Sequence, residues 1–428
     1  MNSANVEHQP EVPQGIKTLL FDKGFLAFWV AGTLIGVIRW LQLLALSVYT
    51  LDITASPFLV SMVPLLFMAP MALTGPLWGV VADRTDRKHL FIATTALVCS
   101  VSLIMAYVAH VGELVFGHIA IASLLAGVFW ATDMPIRRRL IGDLSGNALA
   151  PAMSLDAATG NATRMLGPLL GGLTLQLMGI AGVFVFSFVC YTIVLLLVAS
   201  VQLPQIKVLS KSTTSLFNDL AGGVRLVSGD VWLKLVLSVT IVFNIFGFAF
   251  TSMIPVLGAR QLKLDPFWVG VLSSLEGLGA FIGAIMVALI ARPEIHFKIY
   301  FRGVAVYLAL VGVLAGLAIN ISNISLPFIA CGAVLVGIGI AGACFSAMQS
   351  TLSYLAAPPA FRSRVLGVLT LCIGTAPIGF FCIGWVAEQL SAPIALCMTS
   401  LFGLAALGFV RFRYRLAGSI PPSSKDKS

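Results

Sequence analysis

The sequence predicts an all-α integral membrane protein of twelve transmembrane helices in two pseudo-symmetric six-helix halves, and three observations carry that reading. Of its 428 residues, 59% are apolar and 10% are charged. The mean hydropathy is +1.00. A water-soluble domain could not hide so much apolar surface, so much of it must face lipid. The apolar runs also approach or exceed the roughly 20 residues that a spanning helix needs, and they lack the alternation of a membrane barrel strand.

The runs fall near 25 to 50, 57 to 82, 90 to 109, 115 to 136, 151 to 176, 180 to 202, 231 to 257, 266 to 290, 299 to 319, 324 to 356, 365 to 387 and 393 to 412. Residues 1–24 form a tail that is polar and mixed in charge, and the apolar run after it is too long for the core of a cleaved signal. The first span is therefore expected to stay in the protein. Six spans fill 25–202, a hydrophilic connector occupies 203–230, six more spans fill 231–412, and 413–428 is a C-terminal tail. Within the connector, Phe217, Leu220, Val224 and Leu226 predict a short surface helix. The halves echo each other: Gly75 and Gly79 on span 2 match Gly279 and Gly283 on span 8, and Gly167-Pro168 matches Ala376-Pro377. Repeated halves that rock about a midplane site are the usual physical basis of alternating access.

A net charge of +9 would suggest a nucleic-acid partner in a soluble protein. Here the basic residues, among them Lys23, Arg87, Lys88, Arg137, Arg138, Arg139, Lys298 and Arg413, sort to the termini and alternate loops, with Arg260 and Lys263 opposing them. No nucleic-acid partner is expected. By the positive-inside rule both termini are expected to be cytoplasmic in a multi-pass protein of the cell membrane. All seven cysteines lie inside apolar runs without a Cys-x-x-Cys pair, so they are read as packing residues, not disulfides or metal ligands. The five histidines lie in the tail or near span ends, and neither a zinc-protease pattern nor a phosphate-binding glycine loop occurs. Neither enzyme chemistry nor a cofactor is expected.

A charge buried in hydrocarbon is costly unless it faces a partner or a wet cavity, so the few intraspan charges are the first functional candidates. Arg39 lies near the middle of span 1, Arg164 in span 5 and Glu276 near the middle of span 8. Asp133 and Asp156 lie nearer the cytoplasmic ends of spans 4 and 5. Glu276 is the leading candidate for proton coupling, since a carboxylate can load and release a proton and a guanidinium cannot. Asp133 and Asp156 follow it, and Arg39 and Arg164 are charge partners or substrate anchors. A permanent ion pair that merely satisfies an arginine is the structural alternative for Glu276. Asp133 precedes Arg137 by one helical turn, which puts both on one face as a gate or a static helix-end cap.

Two further patterns involve the backbone. Between spans 2 and 3, Gly79 lets helices approach closely and Asp83 can accept from a neighbouring helix N-terminus. Arg84, Arg87 and Lys88 can pair with carboxylates or lipid headgroups. A loop that only fixed topology would explain Arg87 and Lys88 but not Gly79 or Asp83. In span 5, Gly167-Pro168-Leu-Leu-Gly171-Gly172 combines a proline that removes a backbone donor with glycines that allow close packing.

With two six-span halves, this loop and this glycine-proline run, the chain resembles the major facilitator superfamily over essentially its whole length. The stretches Arg137–Leu144, Ala162–Pro168 and Phe345–Gly367 resemble the bacterial efflux branch that includes enterobactin exporters and macrolide or tetracycline pumps. The resemblance implies that the loop is a conformational latch, although Asp86 stands where the family usually has glycine. It implies an antiporter-type kink in span 5, with Thr163 and Ser154 where further glycines would be expected. It makes Asp133 a partner for Arg87 or Arg84. It also places the cavity on spans 1, 4, 7 and 10, where Trp40, Gln42, Trp130, Phe243, Asn244, Phe345 and Gln349 offer aromatic faces and isolated polar groups. That lining would suit an amphipathic organic molecule, although aromatics at such positions also serve helix packing. The implied function is proton-coupled export by a monomer in a bacterial inner membrane, with a small-molecule substrate, protons and the lipid bilayer as partners. The alternatives are a metabolite importer, a lysophospholipid flippase and a non-transporting scaffold.

Overall fold

Aspartates and prolines set where many of the helices begin. Asp22, Asp86 and Asp230 each sit just before a span and accept hydrogen bonds from backbone N–H groups of its first turn. Pro57, Pro266 and Pro327 occupy the first helical position of other spans, where the missing N–H costs nothing and the fixed φ suits a helix. A computed structural model describes residues 16–201, 216–321 and 326–415, and these are helical almost throughout. The spans are α1 (Lys23–Thr54), α2 (Pro57–Arg84), α3 (Arg87–His110), α4 (Phe116–Ser145), α5 (149–178), α6 (180–200), α7 (Val231–Gln261), α8 (Pro266–Ile290), α9 (His296–Ile319), α10 (Pro327–Ala356), α11 (Arg364–Gln389) and α12 (Ala392–Arg415).

Helices α5 and α6 run on from each other except at Gly179, whose φ of 64° and ψ of −173° fall in a region that only glycine enters freely. A single residue therefore reverses the chain between two membrane spans. Helix α7 departs most from regularity, with wide turns at Phe243–Gly247 and Leu257–Gln261 flanking a tight turn at Phe248–Met253. Such defects in a spanning helix free backbone groups and commonly mark functional stretches. The amphipathic helix Leu216–Gly229 lies on the connector side, with Gly223 against the first turn of α11. We call this end of the bundle the connector face and the other the far face.

Within the first half α1 packs on α5 and α2 on α4, and within the second α8 packs on α10 and α9 on both α10 and α12. The halves meet along two seams, α5 with α8 and α2 with α11. Side chains such as Leu73, Leu289, Phe409 and Phe412 point outward and are largely exposed, as lipid-facing residues of a spanning bundle should be.

The departure at Asp86 has a local explanation. Its backbone is extended (φ −62°, ψ 113°), a conformation open to any residue, and its carboxylate accepts from the N–H groups of Lys88 (2.9 Å) and His89 (3.2 Å). The His89 N–H is the main cause that holds the Asp86 carboxyl below the usual carboxylate range, against the opposing effect of desolvation. A depressed folded-state pKa means that this capping contribution is present above the ordinary aspartate range and is lost as pH falls through the lowered value. We expect Asp86→Ala to cost about 1 kcal/mol locally and Asp86→Gly only a few tenths. Faster hydrogen exchange at the Lys88 and His89 amides in both variants, with a drop in thermal stability that is larger for alanine than for glycine, is the check.

Candidate functional site

A cavity of about 90 Å³ lies between the halves, and seven helices line it. Helix α1 contributes Arg39, Trp40, Leu43, Leu44 and Ser47, α2 contributes Pro64, Phe67 and Met68, and α4 contributes Trp130. Arg164 and Pro168 come from α5, Ser273 and Glu276 from α8, and Phe380 from α11. The tight stretch of α7 supplies Phe248, Thr251 and Ser252, followed by Ile254 and Pro255. The irregular helix thus lies along the cavity wall.

Every intraspan charge singled out above is paired. Arg164 Nη2 donates to Glu276 Oε1 at 2.7 Å, so this ion pair crosses from one half to the other in the cavity wall. Arg39 Nη2 donates to Asp133 Oδ2 at 2.8 Å, Arg137 Nε lies 3.6 Å from the same oxygen, and Arg137 Nη1 donates to Asp156 Oδ1 at 2.6 Å. These last four charges alternate in sign along a chain confined to the first half. Asp133 is fully buried, and its second oxygen, Oδ1, has no hydrogen-bond partner. The two guanidiniums that face the cavity also lie over indole rings, Arg39 over Trp130 at 5.0 Å and Arg164 over Trp40 at 5.4 Å. Phe67 stacks on the other ring system at this site, Trp130, at 5.2 Å.

Small residues bring α5 and α8 close enough for the cross-half pair. A Cβ on Gly277 would collide with the backbone of Arg164 and Met165, and one on Gly270 would collide with the Pro168 carbonyl. From the other side, Gly172 leaves no room for a Cβ against Pro266, whereas Gly167 and Gly171 face α1 at Trp40 and Leu41. The glycine-proline run therefore serves two interfaces, one inside a half and one between halves. Helix α5 stays helical through Pro168 and breaks only at Gly179. Thr163, which departs from the family's glycine pattern, is accommodated by Gly36 on the facing helix.

Both seams close at the far face through one repeated contact. Phe267 N, in the first turn of α8, donates to Gln176 Oε1 near the end of α5 at 3.0 Å. Phe58 N, in the first turn of α2, donates to Glu388 Oε2 near the end of α11 at 3.1 Å, and Ser56 Oγ donates to the same oxygen at 2.8 Å. In each case the acceptor follows by four residues a glycine at the crossing point, Gly172 or Gly384, packed against a Pro-Phe helix start. Arg260 adds a hydrogen bond to the carbonyl of Ala55, which ends α1. Side chains of each half thus satisfy helix-end groups of the other. We expect Gln176→Ala and Glu388→Ala each to weaken closure of the far face by about 1 kcal/mol, or roughly fivefold in population. Spin-label distances between the 111–115 and 262–265 loops should lengthen in the double variant. Unchanged distances would show that the caps do not hold this face shut.

Several sequence expectations need correction. Arg87 pairs with Asp143 at 3.0 Å, not with Asp133, because Asp133 lies deeper in α4, where Arg39 reaches it. Arg39 does not partner Glu276, since Arg164 occupies that carboxylate. Lys88 donates to the carbonyls of Ala199 and Val201, at the end of α6 and just beyond it, not to a carboxylate. The side chains of Gly79, Asp83 and Arg84 lie outside the described residues. Of the seven lining candidates, Trp40 and Trp130 line the cavity, whereas Gln42 does not. Phe243 stacks on Phe345 with ring centroids 3.7 Å apart, Asn244 donates to the Thr240 carbonyl, and Gln349 reaches the Thr240 hydroxyl at 3.5 Å. These four residues form a layer inside the second half, and α10 does not line the cavity. Phe67, Met68, Phe248, Thr251, Ser252, Ser273 and Phe380 take the places that sequence reasoning missed.

Comparison with known proteins agrees with this architecture. The chain is 26% identical over 164 residues to the uncharacterised MFS-type transporter YfiS of Bacillus subtilis, an alignment that covers 38% of each chain. It is 25% identical over 229 residues to the multidrug resistance protein MdtG of Proteus mirabilis, covering 50% of this chain and 52% of that one. The chain thus matches about half the length of these curated relatives, or less. Macrolide efflux protein A of Streptococcus pyogenes is 20% identical over 380 residues, covering 86% of this chain and 90% of its own. Among solved structures, the nucleoside transporter NupG superposes with a TM-score of 0.70 at 13% identity, covering 92% of this chain and 99% of NupG. A bacterial homologue of the human lysosomal transporter Spinster gives 0.70 at 14%, over 92% of this chain and 98% of its own. The family described as transmembrane secretion effector matches residues 19–424. With twelve spans, a charged cavity between two six-helix halves and a family match over nearly its whole length, the chain belongs to this transporter family of the major facilitator superfamily.

Proposed function

We propose that this transporter exports an amphipathic organic molecule in exchange for protons, with Glu276 as the proton carrier and Arg164 as the partner that reports its charge. The observation that carries this reading is the Arg164–Glu276 ion pair, the one charged contact described in the cavity wall that joins the two halves. Protonating Glu276 removes the attraction between α5 and α8 at that point, and Arg164 is then free to act on the substrate or on Trp40. Proton loading is thereby tied to the strength of the interdomain seam, as alternating access requires. The lining supports an amphipathic cargo: aromatic faces from Trp40, Phe67, Trp130, Phe248 and Phe380 surround isolated hydroxyls of Ser47, Thr251, Ser252 and Ser273. The efflux activity named for the macrolide relative supports the outward direction. The connector face is taken as cytoplasmic, in a bacterial inner membrane and with the chain acting as a monomer, because the basic loops gather there.

The test is uptake into inside-out vesicles. With an imposed proton gradient, acid inside, at least one member of a panel of siderophores, macrolides and tetracyclines should accumulate, and collapse of the gradient should release it. Accumulation that ignores the gradient would remove proton exchange, and accumulation only in right-side-out vesicles would reverse the direction.

A further inference from the structure

We infer that a furrow between α9 and α10, bordered by the end of α8, is a binding site for an anionic phospholipid of the connector-side leaflet. The furrow holds about 330 Å³, against about 90 Å³ for the central cavity, and it lies on the outer surface of the second half. Small residues line its floor, Gly337, Ala341 and Cys344 among them, and Gly303 lets α9 and α10 close tightly beneath it against Cys344 and the Ala341 carbonyl. Its rim is apolar and half exposed at Ile290 and Val306. A spanning bundle in lipid must fill such a hollow with an acyl chain, since water there would face apolar walls.

The charge at one end selects the headgroup. Lys298 and Arg302 line the furrow one helical turn apart on α9, in the turns nearest the connector face, where headgroups lie. Neither makes an ion pair within 4 Å among the described residues, and Glu294, one turn earlier, does not reach Lys298. The basic side chains buried deeper in the bundle differ, since Arg39, Arg87, Arg137 and Arg164 each pair with a carboxylate. What sets Lys298 and Arg302 apart from the exposed Arg411 and Arg413 is that both line the same apolar furrow. Two uncompensated cations above an apolar trough match a phosphodiester above an acyl chain. A free phosphate would leave the trough unfilled, and a zwitterionic lipid would leave its own positive group beside Lys298 and Arg302. This site is separate from the central cavity and independent of which molecule that cavity carries.

The test is a lipid titration of the delipidated full chain followed by native mass spectrometry, with phosphatidylglycerol and phosphatidylcholine of equal chain length. The wild type should retain phosphatidylglycerol in preference. The double variant Lys298→Gln/Arg302→Gln should lose that preference by roughly tenfold to thirtyfold, as removal of two interfacial cations implies. Val306→Trp, which fills the trough and leaves the charges in place, should lower retention of both lipids. Arg411→Gln/Arg413→Gln, which removes two exposed cations from the same face, should change little. An unchanged preference in the Lys298/Arg302 variant, or an equal loss in the Arg411/Arg413 variant, would overturn the assignment, the second because it would show diffuse attraction to a basic face. Thermal melts of each variant in detergent separate loss of binding from loss of fold.

Discussion

Glu276→Gln is expected to abolish substrate movement driven by a proton gradient while substrate binding stays measurable. The amide has the shape of the protonated acid and cannot release a proton, so the seam between α5 and α8 should be held permanently in its neutral state. It also keeps an oxygen within reach of Arg164, which now donates to Glu276 at 2.7 Å, so the helix should not be expelled from its packing. The companion variants are Arg164→Lys and Arg164→Ala. Lysine preserves the charge but neither the planar fork nor the stacking over Trp40, and should retain partial coupling. Alanine leaves a buried carboxylate with no cation and should damage folding as well as transport. Uphill transport by Glu276→Gln at the wild-type rate would place the proton carrier elsewhere, with Asp133 and Asp156 next. A glutamine variant that melts well below the wild type would instead make the pair a structural brace.

The sequence revealed the spans and their charges more fully than the cavity, for a physical reason. A membrane span is identified by length and apolarity alone, and an arginine or carboxylate within it stands out against that background. Which helix face meets the cavity is a different question, because core, cavity and lipid faces are all apolar in a membrane bundle. Phe243 and Phe345 illustrate this: the side chains that looked suited to a substrate are stacked on each other inside the second half. Phe248, less than two turns beyond Phe243, reaches the cavity only because α7 changes winding between them, which no regular periodicity would place. Arg164 and Glu276 were both legible as buried charges, but their pairing depends on the Gly277 crossing and could not be read from spacing. The far-face caps were hidden for another reason. Gln176 and Glu388 are ordinary exposed polar residues at span ends, and matching the halves by Pro168 and Pro377 puts the second cap out of register by about one helical turn.

The largest stability effect is expected at Asp133. Its side chain is fully buried between Arg39 and Arg137, so Asp133→Leu would leave two guanidiniums facing each other with only Asp156 to offset them. Breaking a buried pair by removing one partner costs about 3–5 kcal/mol, most of it the penalty of the charge left behind. Arg39→Met, which leaves Asp133 still within 3.6 Å of Arg137, should cost less. The double variant Arg39→Met/Asp133→Leu should be more stable than Asp133→Leu alone, because the most destabilising unpaired charge has gone. Thermal unfolding in detergent measures all three. Equal losses in the double and in Asp133→Leu would mean that Arg137, not Arg39, is the partner on which Asp133 depends. The same variants bear on transport, since a fixed structural chain in the first half should let the double variant respond to a proton gradient through Glu276. If the stable double variant binds substrate but no longer couples to protons, the charge chain through Asp133 belongs to the coupling path and Glu276 does not act alone.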